Sequence, residues 1–358
     1  MPDHTTNLNI YGLGVAVRTA IPEIHTWLQF DFNCYLGSSN QTFLQIEVFG
    51  EQAPPSFIPE LVESMHSPEY VAFDDYPKRY VDYYGRAMVL FDYAAETAVM
   101  YSADLPFLYE KLYLLILSRS GEKLDRQGLH RVHGMAVSFR GTGCLFLMPS
   151  HGGKSTLALS LLRDKEIKLI AEDTPLIDHH GIIYPFLLKL GLSEQQIPGD
   201  ASPNLVRVFD RNKWGKKSLL HLDYFAGQIQ TASCPMRLLF IGKWIHGKNP
   251  QISRISRCSA FATLLRDCVF GLGLPQIVEY FLTSNKKDLL RKSLIALSRF
   301  YACTILARRC IPYCFLLSSD SEANRTVCMK FLNREINHGQ AEQSSASRGE
   351  FNYRDARH

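Results

Sequence analysis

The segment Cys144–Leu162 constrains the fold more than any other part of this chain of 358 residues. It reads CLFLMPSHGGKSTLALSLL: an apolar run, a turn that contains Gly152 and Gly153, and a run with leucines at helical spacing. A short apolar run beside turn residues is typical of a buried strand, and the leucine spacing is typical of an amphipathic helix. We therefore expect an α/β fold in which this strand turns directly into a helix.

The turn in this segment has the composition of a phosphate-binding loop. The usual pattern is Gly-x-x-x-x-Gly-Lys-Ser/Thr; residues 153–156 (GKST) match its end, and Met148 stands where the first glycine is usual. Backbone N–H groups at a helix start bind anions, the lysine reaches the outer phosphates, and the hydroxyl can ligate Mg²⁺. The alternative is an ordinary glycine turn before a helix. The residues predicted to bind the phosphates are Pro149, Ser150, His151, Gly152, Gly153, Lys154, Ser155 and Thr156.

Two acidic residues and one histidine are candidates for the chemistry around this loop. Glu172 and Asp173 follow a predicted strand over residues 167–171, and ligands gather at the carboxyl ends of strands in open α/β sheets. Such carboxylates can hold Mg²⁺ or accept a proton. The alternative interpretation is an acidic turn that is exposed to solvent. His133 opens another predicted strand upstream of Lys154, and by itself is more typical of a structural residue.

Three stretches, taken in order, resemble the HPr kinase family. They correspond to its histidine–glycine pair at a strand start, its phosphate loop and its acidic pair after the loop helix: residues 133–137 (HGMAV), 149–156 (PSHGGKST) and 171–173 (AED). The similarity covers roughly residues 129–335. It implies a phosphate-loop kinase domain of HPr kinase type over that range, with a mixed sheet flanked by helices.

The resemblance also implies a role for each matching side chain. Glu172 would be the general base on an acceptor hydroxyl, Asp173 would assist with the metal, and His133 would lie near the transferred phosphoryl group. Lys154 would hold the outer phosphates, and the Ser155 hydroxyl would bind the metal. ATP and Mg²⁺ are the cofactors that the resemblance implies.

The chain departs from the family pattern at several positions. Met148 and His151 replace loop glycines, and Glu172 replaces an aspartate. One extra residue separates Lys154 from the acidic pair. A glutamate is chemically adequate as a base, but a displaced carboxylate can lower the rate because catalysis depends on positioning. The family's basic loop for reverse phosphorolysis is not seen in the sequence. Its absence argues against phosphorylase activity more than against kinase activity.

The rest of the chain suggests the domain organisation. Residues 1–122 carry short strand patterns and predict an N-terminal α+β domain, which ends at a polar stretch over 119–128. Residues 337–358 are polar and rich in Gly, Ser and Gln, which predicts a disordered tail. Periodicity further predicts strands over 8–18 and 304–308, and helices over 105–118, 259–268, 285–300 and 321–334.

Two sets of residues are candidates for contacting an acceptor or partner. The first is Arg207, Lys217 and Arg237, for which ordinary surface charge is the simpler interpretation. The second is a set of tyrosines in the N-terminal domain, which would make that domain the binding module. Packing in strands and in the core is the simpler interpretation of these tyrosines. These tyrosines are Tyr70, Tyr76, Tyr80, Tyr83 and Tyr84.

Composition argues against several other classes of protein. The formal net charge of +4 is spread over the whole length, so nucleic acid is not an expected partner. No apolar run reaches the ~18–20 residues of a membrane helix, and no secretory signal pattern opens the chain. The nine cysteines include no Cys-x-x-Cys pair, which favours reduced thiols in a cytoplasmic protein over a zinc site.

The sequence therefore predicts an ATP- and Mg²⁺-dependent kinase that transfers the γ-phosphoryl group to a hydroxyl, with the serine of a small protein or peptide precursor as acceptor. One alternative is a non-catalytic nucleotide-binding scaffold that recognises a peptide, which Met148, His151 and Glu172 favour. Another is a kinase of a small hydroxy acid or amino acid. The oligomeric state stays open, and a homo-oligomer is compatible with these readings.

Overall fold

The computed structural model describes residues 4–149, 152–211, 215–247, 249–270 and 286–354. These residues form a mixed α/β structure, with mixed sheets flanked by helices. They divide into two compact units: the first holds residues 4–131, 187–226 and 286–301, and the second holds residues 132–186, 227–270 and 302–354. Residues 187–226 thus belong to the first unit, whereas the sequence alone groups them with residues 129–335.

The helices and strands follow one another closely along the chain. Up to the acidic pair they are β1 (His4–Ile10), β2 (Leu13–Thr19), α1 (Pro22–Asp31), β3 (Thr42–Phe49), β4 (Glu63–His66), β5 (Val71–Asp75), β6 (Lys78–Asp82), β7 (Met88–Asp92), β8 (Thr97–Tyr101), α2 (Leu105–Arg126), β9 (His130–Arg131), β10 (Met135–Phe139), β11 (Thr142–Leu147), α3 (Lys154–Leu161) and β12 (Ile167–Ala171). They continue with β13 (Leu176–Ile177), β14 (Ile182–Tyr184), β15 (Leu190–Leu192), β16 (Val206–Arg211), β17 (Gly215–Leu220), β18 (Cys234–Trp244), β19 (Gln251–Arg254), α4 (Arg257–Leu264), α5 (Lys286–Arg309), β20 (Ile311–Leu317) and α6 (Ser321–Arg354).

The first unit contains two sheets. The larger has the strand order β1–β2–β3–β8–β7–β6–β5–β4, in which β2–β3 and β3–β8 are parallel and the other neighbours are antiparallel. Helix α1 lies between β2 and β3 in the chain, as a crossover between parallel strands requires. The smaller sheet is antiparallel, in the order β15–β17–β16. Helix α2 buries Leu108, Leu112 and Leu115, which explains the helical spacing of its leucines.

The second unit is built on a mixed sheet with the order β12–β10–β11–β18–β14–β13, and β20 pairs with β18. Strands β11, β18 and β20 run parallel, and β10 runs antiparallel to both β11 and β12. All of β10 is buried, and so is all of β11 except Thr142. This burial on both faces explains why the two stretches read as apolar runs rather than as alternating patterns.

Two elements of the first unit differ from the sequence prediction. The strand predicted over 8–18 is a hairpin, because Tyr11 and Gly12 adopt left-handed φ angles of 54° and 85° and so form a tight turn. Helix α2 continues past residue 118 to Arg126, through the polar stretch that was predicted to end the domain. Residues 119–122 of that stretch can be buried because their charges are paired: Arg119 donates to both Glu96 and Glu122.

The C-terminal region also differs from the prediction. The strand predicted over 304–308 is wrong, because α5 continues to Arg309 and β20 begins only at Ile311, where its pairing with Leu238 starts. Helix α6 extends to Arg354, beyond the predicted helix 321–334 and through most of the tail predicted to be disordered. No proline lies between Ser321 and Arg354, so no position there removes a helical hydrogen bond.

Two further features of the fold are the state of its cysteines and the apolar character of its helices. None of the nine cysteines, all of which lie in the described residues, forms a disulfide. The buried ones are Cys144, Cys234, Cys268, Cys303, Cys310 and Cys328. Burial raises the pKa of Cys310 and of Cys328 to about 12, so both are inert thiols at neutral pH. Within the described residues, no helix combines the length and the apolar character needed to cross a membrane.

Candidate functional site

One edge of the second unit's sheet gathers the three segments of the predicted site. The loop after β11 and the acidic pair after β12 follow strands of the same direction, because both strands pair antiparallel with β10 between them. His133 precedes β10, which runs the opposite way, so it lies at the same edge. The topology therefore brings the histidine, the loop and the acids together, at the kind of edge where α/β sheets bind ligands.

The loop turns β11 into α3 through two glycines. The Gly152 N–H donates to the Pro149 carbonyl at 2.9 Å, and a Cβ on Gly152 would lie 2.7 Å from that oxygen. Gly153 adopts a left-handed φ of 84°, and its carbonyl accepts the first helical hydrogen bond from the Leu157 N–H at 2.9 Å. A close approach at one position and a positive φ at the other both require glycine.

The structure gives less information on the other residues predicted to form the loop. Pro149 is exposed at the end of β11, and Thr156 is half-buried in the first turn of α3. Ser150 and His151 lie outside the described residues. The phosphate-binding prediction therefore depends on Gly152, Gly153 and the start of α3.

The Lys154 side chain is buried, with 7% exposed, and its ammonium group lies among the other predicted catalytic residues. Nζ is 2.7 Å from His133 Nε2, 3.5 Å from Asp173 Oδ1 and 3.4 Å from the Met148 carbonyl oxygen. An ammonium group can only donate, so Nε2 must accept, which assigns the histidine proton to Nδ1 and leaves the ring uncharged. The charge of Lys154 is therefore balanced by Asp173 and solvated by two neutral acceptors.

The two acidic residues have different neighbours. The Ser155 hydroxyl donates a hydrogen bond to Glu172 Oε1. Asp173 instead lies beside Lys154, and its Oδ1 is 3.4 Å from His133 Nε2. The Asp173 side chain is 43% exposed, so a molecule arriving from solvent can reach it. The pair thus offers one carboxylate beside the loop hydroxyl and one beside the ammonium group.

Backbone hydrogen bonds hold these segments together. The Gly134 N–H donates to the Asp173 carbonyl at 2.8 Å, and the His133 N–H donates to the Asp267 carbonyl at 3.0 Å. A Cβ on Gly134 would lie 2.8 Å from the Phe146 carbonyl oxygen. The glycine of the His-Gly pair is therefore needed for β10 to begin close against β11, with the histidine at the sheet edge.

Two contacts of the loop region were not predicted from the sequence. Met148 is buried against Gly242 of β18, where a Cβ would lie only 2.6 Å from Met148 Cγ. Trp244, at the end of β18, is 52% exposed, and a Cβ on Gly153 would lie 3.1 Å from its Cζ2. Both contacts depend on the parallel pairing of β11 with β18, which no local sequence pattern signals.

The structure does not bring the other candidate residues to this edge. Arg237 lies near the amino end of β18, which runs parallel to β11, so it is at the opposite end of the strand. Arg207 and Lys217 belong to the first unit, on β16 and β17. The tyrosines of the first unit are mixed in exposure: buried at Tyr70, Tyr80 and Tyr83, exposed at Tyr76 and Tyr84.

The site supplies oxygen donors of the kind that Mg²⁺ prefers. They are the Ser155 hydroxyl and the carboxylates of Glu172 and Asp173. In the described part of the chain, no group of three or more His, Cys, Asp or Glu side chains could hold a metal ion. Mg²⁺ that arrives with a nucleotide takes most of its ligands from phosphates and water and only one or two from carboxylates, and the residues present fit that mode.

Comparison with known proteins adds no family to this description. A scan against protein-family models gives no match to the chain, and a search of curated proteins gives none. The residues of the sheet edge and their contacts are therefore the basis for a function.

Proposed function

We propose that the second unit binds ATP with Mg²⁺ and transfers the γ-phosphoryl group to a hydroxyl, with a serine of a small protein or peptide as acceptor. The observation that carries the proposal is the contact of Lys154 with His133 and Asp173, at the edge where Ser155 meets Glu172. A lysine and a hydroxyl at the start of a helix, facing two carboxylates, supply a phosphate clamp, a metal ligand and a proton acceptor.

The loop and the first turn of α3 would hold the phosphates. The N–H groups at the start of a helix and the positive end of its dipole both attract anions. Lys154 would turn its ammonium group from His133 towards the outer phosphates. Because Lys154 is paired with Asp173 in the free protein, phosphate binding competes with that ion pair and leaves the Asp173 carboxylate available for chemistry.

The hydroxyl side of the site would bind the metal. When bound with the nucleotide, Mg²⁺ supplies positive charge that stabilises the phosphates in the transition state. The Ser155 oxygen would be a direct ligand, because it lies next to the loop lysine at the start of α3. Glu172 accepts a hydrogen bond from that hydroxyl, which puts its carboxylate on the same side of the site.

The contacts favour Asp173 as the general base, whereas the family resemblance assigns that role to Glu172. Asp173 is accessible and adjoins Lys154, which would hold the γ-phosphate, while Glu172 is tied to the metal-binding hydroxyl. In the transfer, Asp173 accepts the proton of the acceptor hydroxyl and the acceptor oxygen bonds to the γ-phosphorus. The bond from that phosphorus to the β,γ-bridging oxygen breaks, and ADP leaves.

A nucleotide-binding scaffold without transfer is the second candidate, and one observation favours it. The Lys154 ammonium group is held by His133, Asp173 and the Met148 carbonyl, so ATP must displace these contacts before the lysine can reach a phosphate. If Lys154 keeps them, the loop binds phosphate weakly and positions it poorly. A scaffold would bind nucleotide and transfer phosphate to no hydroxyl.

Mass spectrometry of phosphate transfer tests the proposal. The full chain is incubated with ATP, Mg²⁺ and a mixture of serine-containing peptides and free serine, and we expect a peptide to gain the mass of one phosphate group. Asp173→Asn should slow the gain by roughly 10²–10⁴-fold. Lys168→Ala, which removes an exposed lysine of β12, is the matched control and should leave it intact.

The other outcomes separate the candidates. A mass gain on free serine alone would replace the peptide acceptor by a small molecule. Saturable ATP binding without any mass gain, over acceptors of both kinds, would leave the scaffold as the function. Transfer at the native rate by Asp173→Asn would contradict the choice of base.

A further inference from the structure

A second concentration of positive charge lies in the first unit, on one face of the sheet β15–β17–β16. Paired residues of an antiparallel sheet share a face, and the register pairs both Arg207 and Gly191 with Leu219. Lys217 is two residues from Leu219, and Lys189 is two residues from Gly191. Because side chains alternate along a strand, all three cations lie on this one face.

One buried carboxylate faces these cations. Asp31, at the end of α1, has a side chain that is 2% exposed, and its Oδ2 lies 3.1 Å from Lys189 Nζ and 2.7 Å from Arg207 Nη2. The Tyr109 hydroxyl donates to the same oxygen at 2.7 Å. Two cations therefore share one anion, and Lys217 adds a further positive charge to the same face.

Gly191 makes room for the third cation. A Cβ at this position would lie 1.9 Å from Lys217 Cε and 2.0 Å from its Nζ, so any larger residue would push the ammonium group away. Gly191 does not have a left-handed φ, so the backbone itself does not require glycine here. Because residue 191 is a glycine, the end of the Lys217 side chain lies against the backbone of β15, close to Lys189.

The electrostatic cost of this arrangement appears at Lys189. The pKa of Lys189 is lowered to about 8, chiefly by burial; Asp31 raises it, and the charges of Arg207 and Lys217 contribute to lowering it. In addition, Arg207 Nε is buried without a hydrogen-bond partner among the described residues. A buried cation is stabilised by an anion at hydrogen-bonding distance, and among the described residues Asp31 is the one carboxylate that pairs with Lys189 and Arg207.

Aromatic rings surround the cations. The Lys189 ammonium nitrogen lies 3.4 Å from the centroid of the Tyr113 ring. The rings whose centroids lie 5.1 to 5.6 Å from the Arg207 guanidinium carbon are those of Trp27, Phe30, Tyr109 and Phe209. All of the residues that carry these rings except Tyr109 are half-buried, so each keeps some surface exposed to solvent.

We propose that this face of the first unit binds a small aromatic carboxylic acid, with the carboxylate between Lys217 and Lys189 and the ring against the aromatic side chains. Three cations that share one described carboxylate favour an anion, and the aromatic lining favours an anion that carries an apolar body over a fully hydrated inorganic one. The site involves none of the residues at the phosphate loop, so its existence does not depend on the proposed kinase activity.

Thermal unfolding of the full chain in the presence of benzoate tests this site. Benzamide, which has the same ring without the charge, and inorganic phosphate, which has charge without a ring, are the comparison ligands at constant ionic strength. We expect benzoate to raise the Tm in a saturable way and the other two to have no such effect. Lys217→Ala should abolish the shift, and Lys216→Ala, which removes the exposed neighbouring lysine, should keep it.

Gly191→Ala is the variant that leaves every charge in place. The alanine methyl group displaces the flexible end of Lys217, so the fold should persist, as circular dichroism would verify, and the benzoate shift should be lost. A benzoate shift that survives in Gly191→Ala, or no saturable shift in the native chain at millimolar benzoate, would overturn the proposal. A shift with phosphate alone would overturn the choice of an aromatic acid.

Discussion

Two lysines with little exposed surface, one in each unit, have opposite electrostatic surroundings. Lys154 lies beside the Asp173 carboxylate and hydrogen-bonds to His133, which is uncharged in this arrangement. Lys189 shares the single carboxylate of Asp31 with Arg207. Among the described residues, the positive charge of Lys154 is matched by one carboxylate, whereas the cations around Lys189 outnumber the carboxylates.

The difference bears on how each lysine can respond to an anion. At the phosphate loop, an arriving phosphate must compete with Asp173 for Lys154, so binding changes the partners of existing charges. In the first unit an arriving anion meets cations that share one described carboxylate, so binding relieves repulsion. The first arrangement suits a site in which a carboxylate takes part in chemistry, and the second suits a site that only binds.

The largest expected effect separates the two acidic residues at the loop. Asp173→Asn should lower the rate of phosphate transfer by roughly 10²–10⁴-fold, the range for loss of a general base, while ATP still binds. Glu172→Gln should instead raise the Mg²⁺ concentration needed for half-maximal transfer, because Glu172 accepts a hydrogen bond from the Ser155 hydroxyl that we propose binds the metal. Single-turnover rates over a Mg²⁺ titration measure both.

The reverse pattern would contradict this division. If Glu172→Gln lost transfer at saturating Mg²⁺ while Asp173→Asn kept the native rate, the general base would be Glu172, as the family resemblance implies. Lys168→Ala, on the exposed side of β12, controls for any loss of folding near the acidic pair.

The second prediction concerns the pH dependence that the excess charge produces. The pKa of Lys189 is about 8 in the folded protein, against 10.5 for an ordinary lysine, so the unfolded chain binds more protons between these values. The free energy of unfolding should therefore rise from pH 8 to pH 10, by at most about 3 kcal/mol from this group. Lys189→Met should remove this part of the rise, as urea unfolding at the two pH values would show.

Lys216→Met is the matched control for this experiment, because Lys216 is an exposed lysine on β17. Other groups that titrate in this range contribute equally to the native chain and to both variants, so only the difference between the variants matters. The same rise in Lys189→Met as in Lys216→Met would show that Lys189 is not destabilised by its neighbours.

The smallest expected effect compares one glycine from each unit. Gly153→Ala should lower the free energy of unfolding by about 1–2 kcal/mol, because alanine is strained at a φ of 84°. Gly191→Ala should change it by no more than about 0.5 kcal/mol, because its φ is ordinary and only the end of a lysine must move. Urea unfolding of both variants would check this, and a larger loss in Gly191→Ala would mean that Lys217 cannot move.

The sequence predicted those features that depend on neighbouring residues. The β11–loop–α3 unit follows from an apolar run, two glycines and leucine spacing within one segment, and the mixed α/β class is confirmed. The acidic pair was placed after a strand that does end at Ala171. That the domain has the HPr kinase fold stays a prediction.

Features that depend on pairing between distant segments could not be predicted. Met148 packs against Gly242 only because β11 pairs with β18. Lys217 lies against Gly191 only because β17 pairs with β15. Arg207 and Lys217 were noticed as charges, but the carboxylate of Asp31 that orders this cluster is 176 residues from Arg207 in the chain. Composition alone cannot signal such contacts.

ATP binding at the loop is most directly measured by the thermal unfolding of the native chain and of Lys154→Ala, each titrated with ATP in the presence of Mg²⁺. A ligand that binds only the folded state stabilises it by about 2.7 kcal/mol at a concentration one hundred times its Kd. We expect the native chain to show a saturable rise in Tm and Lys154→Ala to show none. No rise in the native chain, or an equal rise in both, would contradict the assignment of this loop as the nucleotide site.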